Sequence, residues 1–184
     1  MIGSRRYTAA AFLIAFAVCA VDAASKALAV AGLTPHRSVT LLGGLITLHL
    51  YRNPGAAFGI GPSYTVIYAL IEAAVLVAIL RLSRQLRSWP WAIALGLLLG
   101  GAAGNLADRL FRSPGPLRGF VIDWIKLPYF PPTFNLADSA ITIGAAVLVL
   151  ASVRGWRLDG GSLRSGPKVH QATPGSDVPP PLNP

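Results

Sequence analysis

Four long apolar runs constrain this chain more than any other feature. They are Ala9 to Leu33, Tyr64 to Leu80, Trp89 to Ala107 and Leu136 to Val153. Each is roughly 17–25 residues, the length at which a helix crosses a hydrocarbon core. Lipid offers the backbone no hydrogen bonds, so spanning segments of this kind fold as helices. The predicted spans are about 9–33, 64–80, 89–110 and 136–153. Composition agrees: 53% of the 184 residues are apolar and 12% charged, about half the charged share of a soluble domain. The expected fold class is an all-α membrane protein of four transmembrane helices. Residues 1–154 would form the membrane domain.

The net charge of +9 does not signal nucleic acid, because the basic residues lie between the apolar runs and form no single face. They bear on orientation. Arg5 and Arg6, Arg81, Arg84 and Arg87, and Arg154, Arg157, Arg164 and Lys168 fall on one side. A smaller set, Arg37, Arg52, Arg109, Arg112, Arg118 and Lys126, falls on the other. The positive-inside rule then predicts both termini in the cytoplasm. Arg5-Arg6, the apolar run and the small residues at Ala20 to Ala24 also resemble a cleavable signal peptide. Apolar sequence resumes at Ala27, however, so a retained anchor is expected. Phe16-Ala17-Val18-Cys19 hints at a lipidation box, but Val18 is a poor residue before the cysteine. Residues 155–184, rich in Gly, Ser and Pro, read as a disordered cytoplasmic tail.

One cysteine, Cys19, excludes an intrachain disulfide and a Cys-rich metal site. His36, His49 and His170 are scattered, and no HExxH or GxxxxGK[ST] occurs. No metal or cofactor is expected. Residues 39–51 read as a short β-hairpin turning at Gly43-Gly44. Residues 110–133, with Pro114, Pro116, Pro128, Pro131 and Pro132 among Trp124, Tyr129 and Phe130, read as an ordered loop with interface aromatics.

Five of the seven acidic residues lie in or beside the spans: Asp22, Glu72, Asp108, Asp123 and Asp138. A charge at membrane depth costs roughly 2.5–3.5 kcal/mol, so each is a functional hypothesis by default. All but Glu72 fall toward one membrane face. Asn105, Asp108 and Arg109 share a helix face at i, i+3, i+4, and Asp22 and Lys26 can pair at i, i+4. Each residue also has a structural reading. Asp22–Lys26 is a charge-neutralising pair, Asn135 an N-cap with Asp138 at N3, Asp123 a turn residue and Arg109 a snorkelling side chain. Gly96, Gly100 and Gly104 read as a helix-packing stripe. His49 reads as a strand residue, and Glu72 as facing a partner helix or protonated. Carboxylates, two Asn and an Arg converging at one interface need a joint explanation. Close carboxylates without a metal suit aspartic-type hydrolysis, in which a pair shares one proton. One member takes a proton from the attacking water and the other donates to the carbonyl oxygen. A proton or ion pathway through Glu72 and a non-catalytic scaffold remain the alternatives.

At these residues the chain resembles the lipoprotein signal peptidases, or signal peptidase II. The matching blocks are Asp22-Ala-Ala-Ser-Lys26, Asn53-Pro-Gly-Ala-Ala-Phe58, Gly100-Gly-Ala-Ala-Gly-Asn105-Leu-Ala-Asp108-Arg109, Val121-Ile-Asp123-Trp124 and Phe134-Asn135-Leu-Ala-Asp138. Trp124 departs mildly from the Phe common there. The resemblance implies a bacterial inner-membrane aspartic endopeptidase that cuts prolipoproteins just before a diacylglyceryl-modified cysteine. It implies Asp123 and Asp138 as the catalytic dyad, and Asn53, Gly55, Asn105, Asp108, Arg109, Asn135 and Ala137 as residues that line or brace the site. Asp22 and Lys26 would support its periplasmic part, and the hairpin and the 110–133 loop would form an extracytoplasmic cradle and lid. Membrane lipids as surroundings, globomycin as inhibitor, no nucleic acid and a monomer complete the expectation.

Overall fold

The structure, a computed structural model, describes residues 2–34, 37–55 and 64–161. Its helices are α1 (Ile2–Gly32), α2 (Thr65–Leu82), α3 (Trp89–Phe111) and α4 (Leu136–Val153). All four are long and apolar enough to cross a membrane. The first begins before residue 9, because Arg5 and Arg6 continue it as helix beyond the apolar run. At 31 residues it is about 46 Å long, more than a hydrocarbon core of about 30 Å requires. Phe16 and Leu28 of α1, Leu70 of α2 and Val149 of α4 point outward. In water such a surface would be untenable; in lipid it is the solvated face.

Helix α3 is the central element and packs against the other three, most extensively against α1 and α4. Its small residues make this possible. A Cβ on Gly100 would lie 2.6 Å from the Ala15 carbonyl oxygen of α1, and one on Gly101 would lie 2.6 Å from that of Ala137 in α4. Neighbouring glycines thus serve opposite neighbours, and backbones approach where apolar side chains could not fit. In contrast, α2 and α4 both pack on α3 but scarcely touch each other.

At one end of the bundle Tyr7 stacks edge-on against Trp89 at 5.1 Å. There Thr8 bonds the Ser83 carbonyl and the Trp91 indole N–H donates to the Trp156 carbonyl. The tail expected to be disordered from residue 155 therefore starts as an ordered turn through Gly161. Trp156 and a backbone bond from Arg87 to Leu158 hold it down. Residues 162–184 lie outside the described residues.

The other end carries an antiparallel sheet of β1 (Val39–Leu41), β2 (Ile46–Asn53), β3 (Val121–Leu127) and β4 (Phe130–Phe134), in that spatial order. The β1–β2 hairpin turns through Gly43 and Gly44, both at positive φ, as the Gly-Gly pair requires. The segment 110–133 is not simply a loop. Its second half forms β3 and β4, and β3 pairs with β2 so that Tyr51 faces Asp123. The prolines and the acid obscured this strand pattern in the sequence. Pro131 and Pro132 are tolerated because β4 is an edge strand, where the missing N–H need not be paired.

Gly100→Ala is expected to destabilise the protein by about 1–3 kcal/mol through overpacking. A fall of several degrees in detergent melting would show it. Gly32→Ala, where an added Cβ meets nothing, should leave melting unchanged.

Candidate active site

Helix ends and strand ends converge beneath the sheet. Asp22 and Lys26 come from the late part of α1. Asn105, Asp108 and Arg109 share one face late in α3, Asn53 ends β2, and Asp123 sits in β3. Asn135 caps α4, which carries Ala137 and Asp138 in its first turn. Every one of these side chains is buried or half-buried. Their polar groups must therefore satisfy one another.

Lys26 is fully buried, its side chain 1% exposed. Its ammonium contacts Asp22 Oδ2 at 2.7 Å, Asp108 Oδ2 at 3.0 Å and Asn105 Oδ1 at 3.0 Å. An ammonium only donates, so Asn105 must turn its oxygen toward Lys26. The Asn105 amide N–H then donates to Asp138 Oδ1 at 2.8 Å. Asp22 Oδ1 accepts the Ala137 backbone N–H at 2.9 Å, one of the free donors opening α4. Asp108 accepts the Ile122 N–H at 3.1 Å and pairs with Arg112, which ties β3 to α3.

Asn135 and Asp138 form a complete capping box: Asp138 N–H donates to Asn135 Oδ1 at 2.9 Å, and Asn135 N–H to Asp138 Oδ2 at 3.2 Å. This fixes the Asn135 amide so that its Nδ2 donates to Asp123 Oδ1 at 2.7 Å. Asn53 behaves alike. Its oxygen accepts the Gly55 N–H at 2.9 Å, and its Nδ2 donates to Asp123 Oδ2 at 2.8 Å. All four oxygens of Asp123 and Asp138 thus accept a hydrogen bond from a donor whose orientation is set elsewhere. Burial pushes the Asp123 carboxyl up to about 7, and the nearby Asp138 charge adds to the rise. The bonds from Asn53 and Asn135 oppose it.

The two carboxyl groups border one cleft of about 680 Å³, lined also by Asn53, Gly55, Asn105 and Arg109. Its walls are apolar, with Ile71 of α2, Leu127 and Phe130 of the sheet, and Ile141 of α4 among them. Because α2 and α4 scarcely touch, the cleft lies between two helices whose outer faces are apolar. Asp22, Lys26, Asp108, Asn135 and Ala137 stand behind it as bracing. Among the described residues no group of three or more His, Cys, Asp or Glu could hold a metal.

Three of the structural readings of single residues change. Arg109 does not snorkel. It is buried, donates through Nη2 to the Gly55 carbonyl at 2.9 Å, and pairs through Nε with Glu72 at 3.1 Å. Glu72, given no chemistry from sequence, lines the cleft as that partner. Its signal was present as the lone acid in an otherwise uncharged span. Asp123 is a strand residue and not a turn residue. The His49 ring, in β2, contacts the Ser38 hydroxyl at 3.1 Å. The part of the second block from Ala56 to Phe58 lies outside the described residues.

A family model described as signal peptidase (SPase) II matches residues 14–154. The lipoprotein signal peptidase of Streptomyces coelicolor is 49% identical over 156 residues, 85% of this chain and 76% of the relative. That of Rhodococcus jostii is 46% identical over 149 residues, 81% of this chain and 75% of its own length. A solved bacterial membrane enzyme superposes with a TM-score of 0.69 at 28% identity, covering 78% of this chain and 87% of that one. Likeness of this extent, reaching from the middle of α1 to the end of α4, means that the chain belongs to the signal peptidase II family of membrane aspartic peptidases.

Proposed function

We propose that this protein removes the signal peptide from bacterial prolipoproteins, cutting just before the diacylglyceryl-modified cysteine, with Asp123 and Asp138 as the hydrolytic dyad. The observation that carries this reading is the pair of carboxyl groups at the edge of one apolar-walled cleft, bridged by Asn135, whose Nδ2 donates to Asp123 and whose backbone N–H donates to Asp138. With its carboxyl raised to about 7, Asp123 still carries the proton of the pair in about half of the molecules at neutral pH. Asp138, in the first turn of α4, sits where the helix dipole favours negative charge. Asp138 then takes a proton from water as its oxygen attacks the scissile carbonyl carbon, and Asp123 donates its proton to the carbonyl oxygen. Collapse of the tetrahedral gem-diol breaks the C–N bond as the proton held by Asp138 passes to the leaving amine and one hydroxyl proton returns to Asp123. The fixed amides of Asn53, Asn105 and Asn135 hold both carboxyl groups in place throughout, so little reorganisation is needed at the moment of reaction.

The same reading orients the protein. The end bearing Arg5, Arg6, Arg81, Arg84, Arg87, Arg154 and Arg157 faces the cytoplasm, with both termini, and the cleft lies at the extracytoplasmic face. A signal helix in the bilayer reaches the cleft sideways between α2 and α4, and the lipid-modified cysteine stays at the membrane boundary. Globomycin is expected to compete for this cleft, and a single chain supplies every residue of the site.

Purified protein in detergent should convert a diacylglyceryl-modified prolipoprotein to a mature-sized band on a gel. Asp123→Asn and Asp138→Asn should each lower turnover by at least about 1,000-fold. Normal cleavage by either variant would remove the dyad. The active form needs the proton on Asp123, so kcat/KM should fall as pH rises through about 7. An alkaline limb far above that value would overturn the assignment. Folding raises the Asp123 pKa above its ordinary 3.8, so the folded state binds the proton more tightly than the unfolded chain. Stability therefore declines as pH climbs between those two values, and Asp123→Asn should melt no lower than wild type at about pH 8. Asp22→Ala leaves the Ala137 N–H unpaired and takes one counter-charge from Lys26. It should lower stability by about 3 kcal/mol, and lost activity with unchanged melting would reverse that role.

A further inference from the structure

The pair of Glu72 and Arg109 is the ionic group at the cleft that the hydrolytic scheme does not use. Both Glu72 carboxylate oxygens accept from Arg109 Nε, at 3.1 and 3.2 Å. Arg109 Nη2 holds the Gly55 carbonyl, and so steadies the turn that aims Asn53 at Asp123. The guanidinium carbon lies 5.6 Å over the Tyr68 ring. Its remaining nitrogen, Nη1, is buried without a partner among the described residues. The Arg109 side chain is 5% exposed and that of Glu72 18%, so the carboxylate is the more open member of the pair.

A guanidinium beside an apolar cleft between two lipid-facing helices has an obvious competitor for any substrate. Lipid phosphates line the boundary of any bilayer, and an unbalanced positive charge at low dielectric would draw in the anionic ones. Arginine suits phosphate especially well, since its fork donates two parallel bonds. We propose that Glu72 is a positioning and charge-masking residue, which holds Arg109 against Gly55 and keeps anionic lipid headgroups out of the cleft. The inference rests on the peptidase reading for its consequence, namely an open cleft for substrate. Its electrostatic part does not depend on that reading.

Glu72→Gln keeps an acceptor for Nε and removes only the charge. Wild type and variant would each be placed in phosphatidylcholine nanodiscs, with and without an equal part of phosphatidylglycerol. For each protein, KM for the modified prolipoprotein would be compared between the two lipids. The wild-type ratio should stay near one. The variant's KM should rise roughly fivefold or more with phosphatidylglycerol, while its kcat is the same in both lipids. Native mass spectrometry should find phosphatidylglycerol retained on Glu72→Gln, shed by wild type, and shed again when Arg109→Gln is added. A variant that ignores lipid charge and retains no phosphatidylglycerol would overturn the proposal. So would an equal loss in both lipids with lowered melting, which marks the pair as packing alone. If wild type cleaves in neither lipid, the peptidase reading falls, and the retained-lipid measurement still decides the role of Glu72.

Discussion

A buried ammonium organises this molecule. Lys26 cannot be left unpaired at that depth, and its three donors are met by Asp22, Asp108 and Asn105. Each contact has a consequence further on. Asp22 receives the first turn of α4, Asp108 receives the backbone of β3, and Asn105 is forced to present its N–H to Asp138. One group that only donates therefore sets the position of two elements and the orientation of an amide. Asn135 and Asn53 are oriented by backbone N–H groups in the same way. Both carboxyl groups at the cleft thus meet donors that cannot turn away. Such preorganisation has greatest effect where water is scarce.

The fold supplies that dryness. Helix α3 gathers α1 and α4 closely through its glycines, and so brings their polar residues within hydrogen-bond reach of its own. The gap left between α2 and α4 becomes a cleft walled by apolar residues and covered by the sheet. The sheet in turn is anchored through Asp108, whose carboxylate reaches Ile122 beside Asp123. Stability and chemistry draw on the same few side chains. Substitutions behind the cleft therefore affect the fold first and the site second.

Much of this was legible in advance. Length and hydropathy identified four spans, because a helix in lipid needs about 20 apolar residues and little else does. The Gly-Gly hairpin was legible because a turn at positive φ favours that pair. The clustering of Asp22, Asp108, Asp123 and Asp138 was legible because charges at membrane depth are rare enough to stand out. Strands β3 and β4 were hidden, since prolines and an acid interrupt their alternation and only pairing with β2 makes them strands. The inward turn of Arg109 was also hidden. Its partner Glu72 lies 37 positions away, on a helix whose rotation no local pattern reveals.

By itself, the sequence determined the number of spans, the family and the identity of the polar residues, all of which are local or cumulative properties of the chain. The tertiary structure alone decided which oxygen of each carboxyl group meets which amide, and that Glu72 belongs to the cleft. It also decided that the 121–134 segment forms sheet and lines the cleft. These depend on distances between helices that meet side by side. Such distances are set by packing of small residues and by the need to satisfy every buried donor, which no stretch of sequence can do alone.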